Sequence, residues 1–146
     1  MKFREMLASD MDQVLTIERN AYSHPWTEGS FRDSLAGNDE IWLLETEGAI
    51  LGHGVISVAV GEAHLLNICV SVDSQRQGLG RLILHYLLTR SEGLGADIMF
   101  LEVRESNSSA LALYHSEGYQ QIGVRKNYYP LGREREHAVV MSRSIG

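Results

Sequence analysis

Apolar positions along the chain recur at two spacings, and the switches between them divide it into strands and helices. Residues 2–7 read as a short first strand. Ser9, with Asp12 three residues on, offers an N-cap ahead of Met11, Val14, Leu15, Ile17 and Ala21 at helical spacing. Pro25 interrupts the pattern, and Thr27 starts a second short helix carrying Phe31 and Leu35, ended near Gly37-Asn38. Two strands, 40–46 and 49–60, meet at Glu47-Gly48 as a hairpin, and a third, 63–71, holds Leu65, Leu66, Ile68 and Val70. A polar loop, Asp73 to Gly78, leads into a helix with Leu79, Leu82, Ile83, Tyr86 and Leu87 on one face, ended by Gly93 and Gly95. Ile98 to Val103 reads as a buried strand. Asn107 or Ser108 caps a helix with Ala110, Leu111 and Tyr114 that stops at Gly118. Two closing strands, 119–125 and 137–143, flank a loop containing Tyr128-Tyr129-Pro130. The order predicts a single α/β domain over residues 1–146, a mixed central sheet with helices on both faces.

Composition narrows the class without changing that picture. The chain of 146 residues fits one core, and 44% hydrophobic with 22% charged residues is an ordinary globular balance. Runs such as Leu65-Leu66 and Val139 to Met141 are too short to span a bilayer, and no apolar stretch follows Met1-Lys2-Phe3-Arg4-Glu5 to make a signal peptide. One cysteine, Cys69, excludes an internal disulfide framework and fits a reducing cytoplasm. A net charge of −6 disfavours a nucleic-acid-binding module and suits a basic partner. The six histidines, His24, His53, His64, His85, His115 and His137, form no His-x-x-x-His or Cys/His spacing, so the expectation is no metal site.

The sharpest motif is Gln75-Arg76-Gln77-Gly78-Leu79-Gly80-Arg81, between a strand and an amphipathic helix. Glycines there let backbone approach a ligand, and a helix start presents free N–H groups and partial positive charge, which together suit phosphate. Arg76 and Arg81 add charge-assisted contacts. A Walker loop would need Lys and Ser/Thr after the second glycine, where Arg81-Leu82 stand. A dinucleotide fingerprint would need a third small residue at Ile83. The loop alone leaves open a helix whose glycines merely make a tight turn.

Gln75-x-x-Gly78-x-Gly80 resembles the coenzyme A pyrophosphate loop of the GNAT acetyltransferases. The preceding strand, the element order and Asn107…Tyr114…Gly118-Tyr119 agree with that family over nearly the whole chain. Within it, His24-Pro25-Trp26-Thr27-Glu28, Asn67-Ile68-Cys69-Val70, Leu101-Glu102-Val103-Arg104 and Arg125 to Pro130 are most similar to the ribosomal-protein alanine N-acetyltransferases. Val72-Asp73-Ser74 lacks the proline common before the loop, which removes no proposed ligand. The resemblance implies acetyl-CoA as co-substrate, held by Ile68, Cys69, Val70, Arg76, Gln77, Gly78, Leu79, Gly80, Arg81 and Asn107. It implies direct acetyl transfer to a protein N-terminal amine, that of the alanine of small-subunit ribosomal protein eighteen; a cytoplasmic location is expected, and the oligomeric state stays open with a monomer favoured.

Acetyl transfer from a thioester to an amine needs a neutral amine, a donor for the oxyanion and a proton for the leaving thiolate. Glu102 stands in an otherwise apolar strand. Its position fits either a functional carboxylate at a cleft or an ion pair with an arginine, and the resemblance implies the base. Tyr114 lies at core spacing, i+4 from Ala110 and i+3 from Leu111; the resemblance implies the acid that protonates the thiolate. Asn107 suffices as an N-cap, and the resemblance adds a coenzyme contact. The strand Ile68 to Val70 resembles one whose backbone pairs with the pantetheine arm. Cys69 has no adjacent histidine to activate it and reads as a small buried thiol. Trp26, Tyr128 and Tyr129 either line a peptide cleft or anchor their loops. Two other functions stay open: a related enzyme for lysine side chains or small amines, and a non-catalytic acyl-CoA sensor, which would not need both Glu102 and Tyr114.

Overall fold

The computed structural model describes residues 1–146. In chain order it has β1 (Lys2–Glu5), a 3-10 turn (Ala8–Asp10), α1 (Met11–Ala21), α2 (Glu28–Ala36), β2 (Glu40–Thr46), β3 (Ala49–Ala59) and β4 (Glu62–Val70). A second 3-10 turn (Val72–Ser74), α3 (Leu79–Gly93), β5 (Ile98–Arg104), α4 (Ser108–Ser116), β6 (Gln120–Leu131) and β7 (Glu134–Ser144) complete it. The sheet runs β1-β2-β3-β4-β5-β7-β6, antiparallel except for β4 against β5. Helices cover both faces, as the pattern predicts. Val14 and Leu15 of α1 and Phe31 of α2 pack with Ile41, Leu43 and Val55 on one face. Ile83, Leu84 and Leu87 of α3 and Tyr114 of α4 pack with Ile56, Leu65, Met99 and Leu101 on the other.

Two local expectations are corrected. Ser9 does not cap α1: it lies inside the 3-10 turn, and Asp10 Oδ2 accepts from the Leu7 amide instead. Tyr128-Tyr129-Pro130 are not in a loop but in β6, which pairs with β7 almost to the hairpin end, Leu131↔Glu134. Proline is admitted because β6 is an edge strand, and the register shift between Arg125 and Tyr129, with Asn127 at φ 53, absorbs the irregular stretch. The Val72–Ser74 turn forms without its proline, closed by Ser74 N donating to Ser71 O at 2.8 Å.

One irregularity builds the site. Ile56 pairs with Leu65, but Val55 pairs with Asn67, so Leu66 is an extra residue in β4. Because side chains alternate across a strand, that one residue exchanges the faces of everything after it. Ala63 and Leu65 point into the α3 core; beyond the bulge Ile68 and Val70 take that side, while Asn67 and Cys69 turn toward α1. Pairing of β4 with β5 stops at the same place, at Leu65↔Leu101. Beyond it the strands separate into an open seam between Leu66–Val70 and Glu102–Arg104.

Candidate active site

The glycine loop sits at the mouth of this seam. Gln75 Nε2 donates to the Val70 carbonyl at 3.1 Å, which ties the loop to the end of β4. Arg76 and Gly78 are left-handed, at φ 64 and φ 79. Gly78 is the N-cap of α3, with no side-chain cap, and the first hydrogen bond of the helix runs from Leu82 N to Gly78 O. The amides of Leu79, Gly80 and Arg81 therefore have no acceptor within the chain and converge at a positive helix end, the arrangement that binds phosphate. A cavity of about 750 Å³ runs from this loop along the seam. Its walls bring together Ile68, Cys69 and Val70 from β4, Arg76, Gly78, Leu79 and Gly80 from the loop, and Asn107 and Tyr114 from α4. Gln77 and Arg81 lie outside that wall. Arg81 instead pairs with Glu117, which His85 Nε2 also meets at 2.7 Å, joining α3 to α4. Asn107 is the α4 cap, its Oδ1 accepting from the Ala110 amide at 3.2 Å.

A second cavity, of about 400 Å³, borders the same seam and is lined by Trp26, Leu66, Phe100, Glu102, Tyr128 and Tyr129. Glu102 stands opposite to Leu101 and Val103 in the alternation of β5, so its carboxylate faces this cavity while its neighbours face the core. Both readings of Glu102 hold at once: it lies in a cleft, and Arg125 Nε meets its Oε1 at 2.9 Å. Its side chain keeps 28% of its surface, so the carboxylate is reached by solvent rather than buried. Its charge, with burial and a hydrogen bond to Glu102, raises the Tyr128 hydroxyl above its ordinary range. Burial, then Glu102, pushes Tyr129 up to about 12. Arg104 clamps the hairpin over the seam: its guanidinium lies 4.4 Å from the Tyr129 ring centre, donates to Pro130 O at 3.0 Å and meets Glu136 at 3.1 Å.

Tyr114 is buried, with its ring edge-on to Tyr119 at 5.5 Å, and it also lines the cavity that runs from the glycine loop. Burial, then Tyr129, pushes its hydroxyl well above the ordinary tyrosine range. A phenol so held stays protonated at neutral pH and is available as a donor. Cys69 borders the cavity through its backbone, but its thiol is buried toward α1, with Sγ 3.9 Å from Ile17 O. Burial, then the Glu18 charge, drives that thiol far up, away from the thiolate a nucleophile requires.

The Acetyltransferase (GNAT) family profile matches residues 11–119. The chain is 37% identical over 137 residues to the [ribosomal protein bS18]-alanine N-acetyltransferase of Escherichia coli strain K12, covering 94% of this chain and 93% of that one. It is 34% identical over 136 residues to the Haemophilus influenzae enzyme of the same description, covering 92% of each. The crystal structure of the Escherichia coli ribosomal-protein-S18-alanine N-acetyltransferase superposes with a TM-score of 0.92 at 35% identity, over 99% of this chain and 94% of that one. Arabidopsis thaliana NAA60 in complex with acetyl-CoA shares the fold, with a TM-score of 0.85 at 14% identity over 99% of this chain and 98% of that one. The protein belongs to the GNAT acetyltransferase family. It is an acetyl-CoA-dependent N-acetyltransferase, and no helix in it is long and apolar enough to cross a membrane.

Several residues of this GNAT site escape a sequence reading. Tyr22, just past α1, donates its hydroxyl to the Ile68 carbonyl at the seam. Glu18, His53 and Cys69 are all buried, and their potential ligand atoms lie within 4.8 Å of one another, a cluster that spacing did not predict. Hydrogen bonds already occupy its carboxylate. Glu18 Oε1 accepts from His53 Nε2 and Asn67 Nδ2, each at 2.9 Å, and Oε2 accepts from the Trp26 amide at 2.9 Å. Burial works against this charge, but the bonds from His53, Trp26 and Asn67 prevail and hold the carboxyl below the usual range. The only available sequence signal was a charged residue on the apolar stripe of α1, four residues after Val14.

Proposed function

We propose that this acetyltransferase transfers acetyl from acetyl-CoA directly to the N-terminal alanine of ribosomal protein bS18. The observation that carries the reading is the seam itself. A phosphate-binding helix start and Tyr114 belong to the cavity on one part of it, Glu102 and an aromatic wall to the cavity on the other. Relatives of that activity, alike over nearly the full chain, support the substrate, and a net charge of −6 suits a basic ribosomal partner.

The coenzyme pyrophosphate would lie on the 76–81 loop and its pantetheine arm along Ile68–Val70, where β4 has no strand partner on the β5 side. The thioester then reaches the seam with a β4 backbone N–H polarising its carbonyl. The N-terminal amine, with a pKa of about 8 in solution, arrives from the Trp26–Tyr129 side. Glu102 takes its proton, directly or through water. The amine nitrogen bonds to the acetyl carbon, the C–S bond breaks, and Tyr114 protonates the departing thiolate. No enzyme-bound acetyl group and no metal enter these steps.

The test is mass spectrometry of a bS18 N-terminal peptide that begins with alanine and contains lysine, incubated with acetyl-CoA and the enzyme. The expected product is acetylated at the α-amine, and an N-terminally blocked control is untouched. Acetylation of lysine in the blocked control, or no product, overturns the substrate assignment.

A further inference from the structure

Glu18 takes no part in the chemistry above, yet it is a carboxylate with 1% of its surface exposed, held among three donors. Each donor belongs to a different piece of the site. His53 is on β3, paired with Cys69 of the coenzyme strand. Asn67 is the first residue of β4 after the Leu66 bulge, just before Ile68. Trp26 lies in the segment between α1 and α2 and forms part of the acceptor-side cavity wall.

The Trp26 ring is held by the same assembly from the other side. It packs on Phe31 at 5.1 Å, and Phe31 meets the His53 ring edge-on at 5.6 Å. The contacts thus close a circuit from the Trp26 amide through Glu18, His53 and Phe31 back to the Trp26 indole. The Trp26 amide is a donor in every state, so an acceptor must face it at the centre. An ionised carboxylate accepts from His53 and Asn67 as they stand, whereas an amide would turn an NH₂ group toward them and require the other His53 tautomer and a flipped Asn67 amide. A buried charge breaks even only when its hydrogen bonds are complete, and here both oxygens are engaged.

We propose that Glu18 is a positioning residue for the acceptor peptide. It fixes the Trp26 wall of the acceptor cleft relative to the β4 strand that presents the thioester. This rests on the reading of the Trp26–Tyr129 cavity as the acceptor cleft. The coenzyme loop, by contrast, is tied to β4 through Gln75 and does not depend on the circuit.

The test is steady-state kinetics of Glu18→Gln with the alanine-led peptide, beside calorimetry of acetyl-CoA binding. Activity of the wild type on that peptide tests the underlying reading separately, so the two failures are distinguishable. In Glu18→Gln the peptide KM should rise tenfold or more, while the acetyl-CoA dissociation constant stays within threefold. A role in stability alone would lower the active fraction, and so kcat, with the peptide KM unmoved; that result overturns the proposal. Asn67→Asp added to Glu18→Gln exchanges donor for acceptor across the 2.9 Å contact and should recover most of the lost KM. If Glu18→Gln does not fold, Asn67→Leu keeps the shape and removes the β4 contact. It should raise the peptide KM at least threefold, and an unchanged value refutes the positioning role.

Discussion

Arg125 Nε lies 2.9 Å from Glu102 Oε1, so the carboxylate at the head of the proposed acceptor cleft is already engaged by an arginine of β6, reaching across β7. The pair orients one oxygen, and the Tyr128 hydroxyl also approaches the carboxylate. Glu102→Gln preserves the shape and can still accept from Arg125, but it cannot take a proton. Turnover should fall about a hundredfold, at the lower end of what a positioned base contributes. The rising acid limb of the rate–pH profile should flatten relative to wild type measured with the same peptide. An unaltered profile would assign the proton to water or to the free amine equilibrium.

Tyr114→Phe removes one hydroxyl and keeps the ring that packs against Tyr119. If that hydroxyl protonates the thiolate, turnover should drop by about two orders of magnitude or more with acetyl-CoA affinity unchanged, the mark of an interaction needed mainly in the transition state. Full activity in a folded variant returns Tyr114 to the core.

Gly80 separates ligand approach from protein strain. A methyl group there would meet Leu113 Cδ2 at 3.8 Å and Val70 Cγ2 at 3.9 Å, ordinary contact distances. Gly80→Ala should therefore hold or raise the melting temperature. Its acetyl-CoA dissociation constant should rise about tenfold, about 1.4 kcal/mol, because the added carbon occupies the face where backbone meets phosphate. Gly78→Val imposes a similar block but adds strain at φ 79. Unchanged affinity of Gly80→Ala by calorimetry would remove the loop from the coenzyme site.

Arg4 gathers the first strand by bonding Asp10 at 2.8 and 2.9 Å and Glu45 at 2.8 Å. That bond, against burial and with help from the Leu7 amide, holds the Asp10 carboxyl below its ordinary range. A carboxyl lowered in the folded state stabilises above its unfolded pKa, and the contribution is lost as pH falls through the folded value. The melting-temperature gap between wild type and Arg4→Met should be full at pH 7 and shrink below about pH 4. A gap constant down to pH 2 would show that Arg4 acts by packing alone.

Much of this was legible in the chain because periodicity is local. Strands 40–46, 49–60 and 63–71 match β2, β3 and β4 within a residue, and Thr27 caps α2 by accepting from the Ser30 amide at 3.1 Å. The glycine loop was legible because its chemistry is contiguous. The Leu66 bulge was not: Leu65 and Leu66 are both apolar, so the change of phase leaves no mark in the pattern. Tyr128-Tyr129-Pro130 was misread because proline and a left-handed Asn127 are turn signals that an edge strand tolerates. The Glu18 cluster spans 35 residues to His53 and 49 to Asn67, and only the folded sheet brings them together.

The bulge also makes strand length a catalytic parameter. Deleting Leu66 would subtract no acid, base or phosphate ligand, yet it would restore an even count between β3 and β4. Ile68 and Cys69 would keep their faces, because Asn67 would follow Leu65 in regular pairing with Val55 and Ile56, but the extra residue where β4 parts from β5 would be gone and β4 would be free to zip onto β5 past Leu101. The seam between the two cavities would close into continuous sheet. In this protein an insertion or deletion within one strand is therefore a change of active site, and drift in the length of β4 is constrained even where the identity of Leu66 is not.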